Sequence, residues 1–165
     1  MKIYLAGPDV FRPDATARAE AAHEIGRRHG FEPLLPVDHS ETSPERIFEA
    51  NLDLIRRAQI VVANLNPFRG PEPDPGTAFE RGDALALGLR IGGDVPRRKR
   101  TVQRVERAEG RGSPPQALGG RPTDRQGFPI ENFGWPCNLM RAVPCRLVES
   151  DREACLPSIR ARPAP

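Results

Sequence analysis

The sequence predicts an α/β fold in which a parallel sheet is flanked by helices, a flavodoxin-like or Rossmann-like architecture. Three observations support this prediction. Strand-like and helix-like segments alternate over the first ninety residues, and residues 59–65 form a mostly apolar run typical of a buried strand. The loop after that run holds acidic residues around a Pro-Gly turn, on the side of such sheets where ligands bind. The alternation implies right-handed crossovers between parallel strands.

Each element of the first ninety residues has its own local signal. Gly30 is placed to end the first helix, because glycine readily adopts the left-handed conformation found just past helix ends. Ser43 and Pro44 have the N-cap and first-turn chemistry of a second helix, whose apolar residues recur at helical spacing. The predicted strands are 2–6, 32–35 and 59–65, and the predicted helices are 15–29, 43–57 and 77–88.

The signal for regular structure is lost after residue 89. A fourth strand is due, but residues 90–95 offer only Ile91 and Val95 among glycines and charged residues. Residues 96–125 contain eight arginines and Lys99, without a usable hydrophobic period. Two interpretations remain open: a disordered basic insertion, or a reading frame that slipped near 90, recovered near 126 and slipped again after 141. The abrupt changes in composition favour the second, and a C-terminal helix is poorly supported.

Composition restricts the class of protein. A chain of 165 residues predicts one domain, with its clearest signal over 1–88 and 127–140 and poor definition over 157–165. The net charge of +3 comes from the basic segment 96–125, and no aromatic residues interleave with the run at 97–100, so specific nucleic-acid recognition is poorly supported. The three cysteines lack metal-ligand spacing, and no apolar run could span a membrane. We therefore expect a cytoplasmic protein without a bound metal.

Two carboxylates flank the turn that precedes the third helix. Asp74 and Glu80 lie six residues apart, and such a pair suggests acid–base or nucleophilic work on a small molecule. A simpler interpretation of Glu80 is a capping box with Thr77, in which the glutamate bonds back to the N-cap amide. In the functional interpretation, the helix N-terminus keeps Glu80 ionised at neutral pH. Asp74 could equally be an ordinary loop residue.

Other candidates are weaker when taken alone. Asp53 lies on the second helix, where it could be a surface acid paired with Arg57 four residues on. Tyr4 lies in the first strand, where a core aromatic is the default, although its buried hydroxyl would need a partner. That strand ends at Gly7, beside the ligand-binding edge. Because neither a Walker A loop nor a Gly-x-Gly-x-x-Gly motif occurs, no dinucleotide cofactor is expected.

Taken together, these motifs resemble the nucleoside 2-deoxyribosyltransferase family. The similarity is continuous over residues 1–88 and resumes over 127–140. A single motif of this kind would be weak evidence, but five in the family's order are specific. The five motifs are Tyr4–Pro8, Asn51–Asp53, Val61–Leu65, Asp74–Glu80 and Asn138–Met140.

The resemblance implies a reaction without a cofactor. Glu80 would attack C1′ of a 2′-deoxynucleoside, forming a covalent deoxyribosyl-enzyme that a second nucleobase then attacks. Asp74 would protonate or hold the nucleobase, and Tyr4 would orient the nucleophile by a hydrogen bond.

The resemblance also implies substrate-binding residues and an assembly. Asp53 would lie near the base and sugar, and Gly7 would also contact the substrate. Asn138 would reach the site of a neighbouring subunit and bind the sugar 5′-hydroxyl, with Met140 beside it. The chain would thus form a homo-oligomer with shared active sites, acting on deoxynucleosides and free nucleobases in nucleotide salvage.

Some residues depart from the family pattern. Arg81 and Asp83 put charge where helix packing or a pocket wall is expected. Together with the degraded strand that follows and the poorly supported C-terminal helix, these departures could leave the sheet incomplete and the chain inactive. A hydrolytic relative, a deoxynucleoside 5′-monophosphate N-glycosidase, is the nearest alternative. Its phosphate would need small hydroxyl residues, whereas the loop after the first strand offers Asp9. A nucleoside-binding module without catalysis also stays open, and retention of ligand by a Glu80→Gln protein without turnover in either form would identify it.

Overall fold

A five-stranded parallel sheet forms the centre of the structure, a computed structural model that describes residues 1–95, 100–109 and 121–161. The strands are β1 Lys2–Ala6, β2 Glu32–Leu34, β3 Ile60–Asn64, β4 Arg90–Asp94 and β5 Arg146–Val148. Their order is β2-β1-β3-β4-β5, and every neighbouring pair is parallel. This is the order of flavodoxin-like sheets, so the predicted fold class is confirmed.

Helices cover both faces of this sheet. They are α1 Ala15–Arg28, α2 Pro44–Arg57, α3 Pro75–Ala86, α4 Thr101–Glu109, α5 Leu139–Ala142 and α6 Arg152–Arg160, with a short 3₁₀ turn at Pro8–Phe11. Alternate residues of each strand divide the core in two. Tyr4 and Val61 pack with Ile55 of α2, whereas Ile3 and Val62 pack with α1 and α6. Within the described ranges, no helix combines the length and apolar character needed to cross a bilayer.

The ends of the early elements lie within about two residues of the predicted positions. Ser43 caps α2 by accepting a hydrogen bond from the amide of Arg46 at 3.3 Å, and Gly30 follows α1 with a φ of 77°. The third helix begins at Pro75, two residues before the predicted start, and its N-cap is Asp74 rather than Thr77. The capping box proposed for Thr77 and Glu80 is therefore wrong, because an Asp-Pro-Gly start places the cap three residues earlier.

The fourth strand is regular, contrary to the prediction for residues 90–95. Strand β4 pairs with β3 over five residues and with β5 over three, which completes the sheet. Its two central glycines are required by close approach of neighbours. A Cβ on Gly92 would lie 2.8 Å from Ile159 Cδ1, and one on Gly93 would lie 2.7 Å from Leu65 Cδ1. Side chains from other elements fill the space above these glycines, which local sequence does not reveal.

Two helices also form where order was not expected. Helix α4 lies inside the basic segment, and its Thr101 amide donates to the carbonyl of Trp135 at 3.1 Å. Helix α6 buries Cys155, Leu156 and Ile159 against the sheet, although it contains Pro157. The prediction of irregular structure is wrong for these parts. Residues 96–99, 110–120 and 162–165, on which that prediction also falls, lie outside the described residues, and the shifted reading frame stays a hypothesis.

Arg81, a departure from the family pattern, is accommodated by the fold. Its side chain is buried, and Nη2 donates a hydrogen bond to the carbonyl oxygen of Arg141 at 2.7 Å. That carbonyl belongs to α5, so the guanidinium joins α3 to α5 and compensates an end of a short helix. The charge expected to disturb helix packing at Arg81 is therefore accommodated by a hydrogen bond between α3 and α5.

Candidate active site

A tyrosine and a glutamate from distant parts of the chain meet on the face of the sheet covered by α2 and α3. The Tyr4 hydroxyl donates a hydrogen bond of 2.5 Å to Glu80 Oε1. Tyr4 is fully buried in β1, and Glu80 lies in the second turn of α3. Burial raises the pKa of the Tyr4 hydroxyl well above its usual range, and the negative charge of Glu80 adds to this rise. Tyr4 is therefore a hydrogen-bond donor at all ordinary pH values.

The environment of Glu80 favours its protonated form more than the sequence suggested. Burial raises the pKa of Glu80 to about 7, the hydrogen bond from Tyr4 lowers it, and the charge of Asp74 raises it again. We expected the helix N-terminus to keep Glu80 ionised at neutral pH, but burial has the larger effect on its pKa and acts in the opposite direction. Glu80 is the sixth residue of α3, and the dipole effect is concentrated in the first turn. A carboxyl that titrates near neutrality can act as a nucleophile or exchange a proton.

Asp74 is held firmly at the start of α3. Its Oδ2 accepts hydrogen bonds from the Thr77 amide at 2.8 Å and from the Thr77 hydroxyl at 2.9 Å. The residue is 9% exposed, and its charge acts on the pKa of Glu80. The structure thus brings together the three residues predicted to be catalytic, with Asp74 close enough to affect the titration of Glu80. Both of these bonds use Oδ2, so the N-cap role does not occupy Oδ1.

The sequence analysis missed a carboxylate near Tyr4, in addition to Asp74 and Glu80. Asp38 follows β2, and its charge contributes to the raised pKa of Tyr4. Its Oδ1 lies 2.8 Å from His23 Nε2, and its Oδ2 accepts a hydrogen bond from the Leu35 amide at 2.7 Å. The position of Asp38 just after a parallel strand was the available signal, because ligand sites form at the carboxyl ends of such strands.

Asp53 lies on the exposed side of α2. It pairs with Arg56 at 2.9 Å, three residues on, rather than with Arg57. Its side chain is 67% exposed, and none of the hydrogen bonds or ion pairs of the described residues joins it to Tyr4, Asp74 or Glu80. Its contact with a substrate stays a prediction.

Met140 lies in α5 and Asn138 directly precedes that helix, and no hydrogen bond described joins either residue to Tyr4, Asp74 or Glu80. Asn138 caps that helix by accepting from the Met140 amide at 3.0 Å, and it donates to Glu131 Oε1 at 2.6 Å. Met140 is 73% exposed. Within one chain Met140 is therefore exposed and Asn138 is half-buried against Glu131, and their role in a second subunit's site stays a prediction.

Gly7 is required by close packing at the end of β1. Its backbone is extended, and a Cβ there would lie 2.9 Å from Asn64 Cβ and 2.7 Å from Arg152 Nη2. These neighbours lie on the face of the sheet covered by α1 and α6. The structure thus gives Gly7 a packing role, and its contact with a substrate stays a prediction.

Gly7→Ala is expected to destabilise the fold by about 1–3 kcal/mol, because Asn64 Cβ is fixed to the backbone and has little room to shift. Urea denaturation would measure the change. Gly82→Ala is the matched control: no atom lies within 4 Å of a Cβ at Gly82, so alanine should stabilise α3 by about 0.5–1 kcal/mol. Equal effects of the two substitutions would contradict the packing role.

No group of three or more His, Cys, Asp or Glu side chains among the described residues is arranged to hold a metal ion. The side chains that meet at the candidate active site supply carboxyl and hydroxyl groups. A partly buried glutamate, oriented by a tyrosine and adjacent to a second carboxylate, suits covalent catalysis at an electrophilic carbon.

We compared the chain with models of protein families and with solved structures, and the matches agree with one another. The family model described as nucleoside 2-deoxyribosyltransferase matches residues 3–140. The solved structure of a 2-desoxiribosyltransferase from Leishmania mexicana is 32% identical, with a TM-score of 0.78, over 98% of this chain and 99% of that one. A conserved protein from Enterococcus faecalis V583 is 21% identical with a TM-score of 0.57 over 99% of each chain, a likeness that shows the fold alone.

An uncharacterized protein from Schizosaccharomyces pombe is 35% identical over 101 residues, or 55% of this chain. That match covers 48% of the yeast protein, so the chain spans about half the length of the curated relative it matches.

Proposed function

We propose, because this chain belongs to the nucleoside 2-deoxyribosyltransferase family, that it transfers 2-deoxyribose from one nucleobase to another through a covalent intermediate on Glu80. The contact between the Tyr4 hydroxyl and Glu80 Oε1 is the observation that carries the proposal. It fixes the orientation of a carboxylate in a partly buried position, which suits a nucleophile in a site that excludes water. The similarity to the enzyme from Leishmania mexicana supports the same reaction class.

The proposed reaction has two displacements at C1′ of the sugar. In the first, a carboxylate oxygen of Glu80 forms a bond to C1′ while the bond from C1′ to the nucleobase nitrogen breaks. The base takes the electron pair of that bond and a proton from the Asp74 carboxyl group. In the second, a nitrogen of another base attacks C1′ and returns its proton to Asp74, while Glu80 leaves as a carboxylate. Two inversions retain the configuration, as in retaining glycosidases.

Tyr4 positions the nucleophile in this proposal. Its hydroxyl engages Oε1 of Glu80, so Oε2 is the oxygen that would attack C1′. A hydrogen bond to the ionised form also opposes the effect of burial on the pKa of Glu80, which increases the fraction of carboxylate at neutral pH. The raised pKa has a use as well, since a carboxylate with some basicity is a better nucleophile than a strongly stabilised one.

Asp74 would assist departure of the nucleobase. Its Oδ2 is fixed by Thr77, and this anchoring sets the orientation of the whole carboxyl group. A nitrogen leaving group is poor unless it is protonated or hydrogen bonded, so an acid beside the nucleophile lowers the barrier for the first displacement.

Asp74→Asn is expected to slow transfer about 100-fold, because asparagine cannot supply the proton. Asparagine is also a good N-cap, so thermal stability should change little. The diagnostic measurement is the rate with two donors, one with an ordinary base and one whose base leaves readily without protonation. The second donor should lose much less activity than the first. An equal loss with both donors would assign Asp74 a structural role only.

The proposed assembly is a homo-oligomer in which α5 of one subunit completes the site of another. Met140 is 73% exposed at the start of this helix, which leaves it available for such a contact. Asn138 would bind the sugar 5′-hydroxyl, and Asp53, exposed on α2, would lie near the base and sugar. These roles follow from family analogy and from the exposure of the residues.

A base-exchange assay tests the proposed function directly. The purified chain is incubated with a deoxynucleoside and a different free base, and the products are separated by chromatography. Formation of the new deoxynucleoside is expected. Release of the free base without exchange would replace transfer by hydrolysis. Absence of both products, with a folded protein and bound donor, would instead identify a nucleoside-binding module.

A further inference from the structure

An asparagine on α2 lies on the same side of the sheet as Tyr4 and Glu80. Asn51 comes three residues before Leu54 and four before Ile55, so these side chains share the face of α2 that packs on the sheet. Ile55 is fully buried in the same core cluster as Tyr4. Because α2 runs back from the carboxyl edge of the sheet, Asn51 lies one turn nearer that edge than Ile55.

A contact between two aromatic rings links this part of α2 to Glu80. Phe48 lies about one turn before Asn51, and its ring centroid is 5.8 Å from that of Phe79. Phe79 directly precedes Glu80 in α3. Along α2, Asn51 is therefore flanked by one residue that contacts the neighbour of Glu80 and by another that packs with Tyr4.

His39 fixes the side-chain amide of Asn51. Its Nε2 lies 3.1 Å from Asn51 Oδ1, while its Nδ1 is covered and has no hydrogen-bond partner among the described residues. If the amide were reversed, Nδ1 of His39 would carry the ring proton and become a covered donor without an acceptor. Covered N–H groups almost always have an acceptor, because their loss of water is otherwise not compensated. His39 therefore donates from Nε2, and Asn51 Oδ1 is occupied as an acceptor.

The other end of the Asn51 amide is available to a ligand. No residue in the described ranges accepts a hydrogen bond from its Nδ2. Asn51 is half-buried and, unlike Nδ1 of His39, its Nδ2 is open to solvent. The two N–H groups of this atom can therefore donate to a ligand without rearrangement of the protein.

The loop that carries His39 is anchored beside the candidate active site. Asp38 directly precedes His39, and its Oδ1 lies 2.8 Å from His23 Nε2 on α1. The negative charge of Asp38 also helps to raise the pKa of Tyr4, so this loop borders the Tyr4–Glu80 pair. The histidine that orients Asn51 is thus held in place before any substrate binds.

We propose that Asn51 binds the deoxynucleoside by donating from Nδ2 to an oxygen of the substrate, and that His39 is the positioning residue that makes this amide a donor. The inference rests on the proposed function, because its ligand is the substrate of that reaction. The oxygen belongs either to a carbonyl group of the nucleobase or to the 3′-hydroxyl of the sugar. Because His39 occupies Oδ1, an N–H group of the ligand would find no acceptor on Asn51.

Isothermal titration calorimetry with deoxyuridine and deoxyinosine tests the proposal in the Glu80→Gln protein, where transfer does not interfere. Asn51→Asp should weaken binding about tenfold or more, because a carboxylate replaces the donor. Arg57→Gln is the matched control, since it changes the charge of α2 by the same amount at an exposed position and should leave the affinity unchanged.

Unchanged affinity in a folded Asn51→Asp protein, or an equal loss in Arg57→Gln, would overturn the proposal. If the aspartate variant fails to fold, Asn51→Ala replaces it and should show the same loss. Binding of neither nucleoside by the protein with Asn51 and His39 intact would overturn the proposed function together with this inference. Binding that does not depend on Asn51 would overturn this inference alone.

Two variants of His39 separate positioning from a general effect on the fold. His39→Ala releases the amide, so adding Asn51→Asp to it should cost much less affinity than Asn51→Asp does alone. His39→Gln can donate from its own amide to Asn51 Oδ1 and should keep the original affinity. Additive losses in the double variant would remove His39 from the positioning role.

Two further ligands identify the substrate oxygen. The compounds 2′,3′-dideoxyuridine and 2′,3′-dideoxyinosine keep the base carbonyl but lack the 3′-hydroxyl. A loss on Asn51→Asp that persists with these ligands assigns the contact to the nucleobase. A loss that disappears with them assigns it to the sugar, and either result supports a donating Asn51.

Discussion

Glu80→Ala is expected to lower the rate of deoxyribosyl transfer by about 10⁴-fold or more, because it removes the group that bonds to C1′. No neighbouring residue is placed to attack C1′ instead of Glu80. Tyr4 is a fully buried donor whose pKa is raised by burial, and Asp74 is tied by Oδ2 to the start of α3. The substitution should leave the fold intact, since the loss of the bond from Tyr4 is offset by removal of a carboxyl that is poorly solvated.

The measurement is the initial rate of base exchange for the purified variant, with circular dichroism as the test of folding. Glu20→Ala is the matched control, since Glu20 is an exposed glutamate on α1, away from the candidate active site, and its loss should not change the rate. Mass spectrometry of acid-quenched enzyme should find a deoxyribosyl group on the peptide that contains Glu80. Retained turnover in Glu80→Ala, with contamination by unaltered enzyme excluded, would remove Glu80 from the role of nucleophile.

Glu80→Gln is expected to stabilise the folded protein by about 2–3 kcal/mol at pH 8 and to change its stability little at pH 5. The pKa of Glu80 rises from 4.5 to about 7 on folding, chiefly because of burial. A raised carboxyl pKa means that the folded state holds the proton more tightly than the unfolded state. The contribution is therefore fully present below pH 4.5 and is lost as the pH rises to about 7. Glutamine avoids this loss and can still accept from Tyr4.

Urea denaturation at the two pH values measures the free energies of unfolding. Glu20→Gln, at an exposed position, serves as the control for removal of one negative charge. The difference between the unaltered protein and Glu80→Gln should grow between pH 5 and pH 8. If the two proteins instead show parallel stability profiles, Glu80 does not titrate as a buried carboxyl, and the environment inferred for the nucleophile is wrong.

Local sequence predicted the elements that carry their own apolar pattern and their own capping residues. Strand β3 is a short run of apolar residues, and α2 begins with a serine cap followed by proline, so both were placed within a residue or two. The motif around Glu80 predicted that Asp74 and Glu80 lie near each other, and the charge of Asp74 does act on the pKa of Glu80. Their catalytic roles stay predictions.

The failures share a physical cause. Strand β4 contains Gly92 and Gly93, which have low strand propensity, but Ile159 and Leu65 fill the space above them. Helix α6 contains Pro157, yet three apolar residues bury one of its faces. In both cases packing by distant residues outweighs local preference, and the stabilisation comes from burial. Asp38 was missed because its effect on Tyr4 depends on distance in space.

Local sequence was sufficient to predict the order of elements in the first ninety residues and to identify Tyr4, Asp74 and Glu80 as candidates. The folded structure was needed to find that a hydrogen bond joins Tyr4 to Glu80, 76 residues away, and that burial raises the pKa of Glu80 to about 7. The reason is that desolvation and hydrogen bonding depend on which side chains surround a carboxyl group. Those neighbours come from separate strands and helices, and only the folded sheet brings them together.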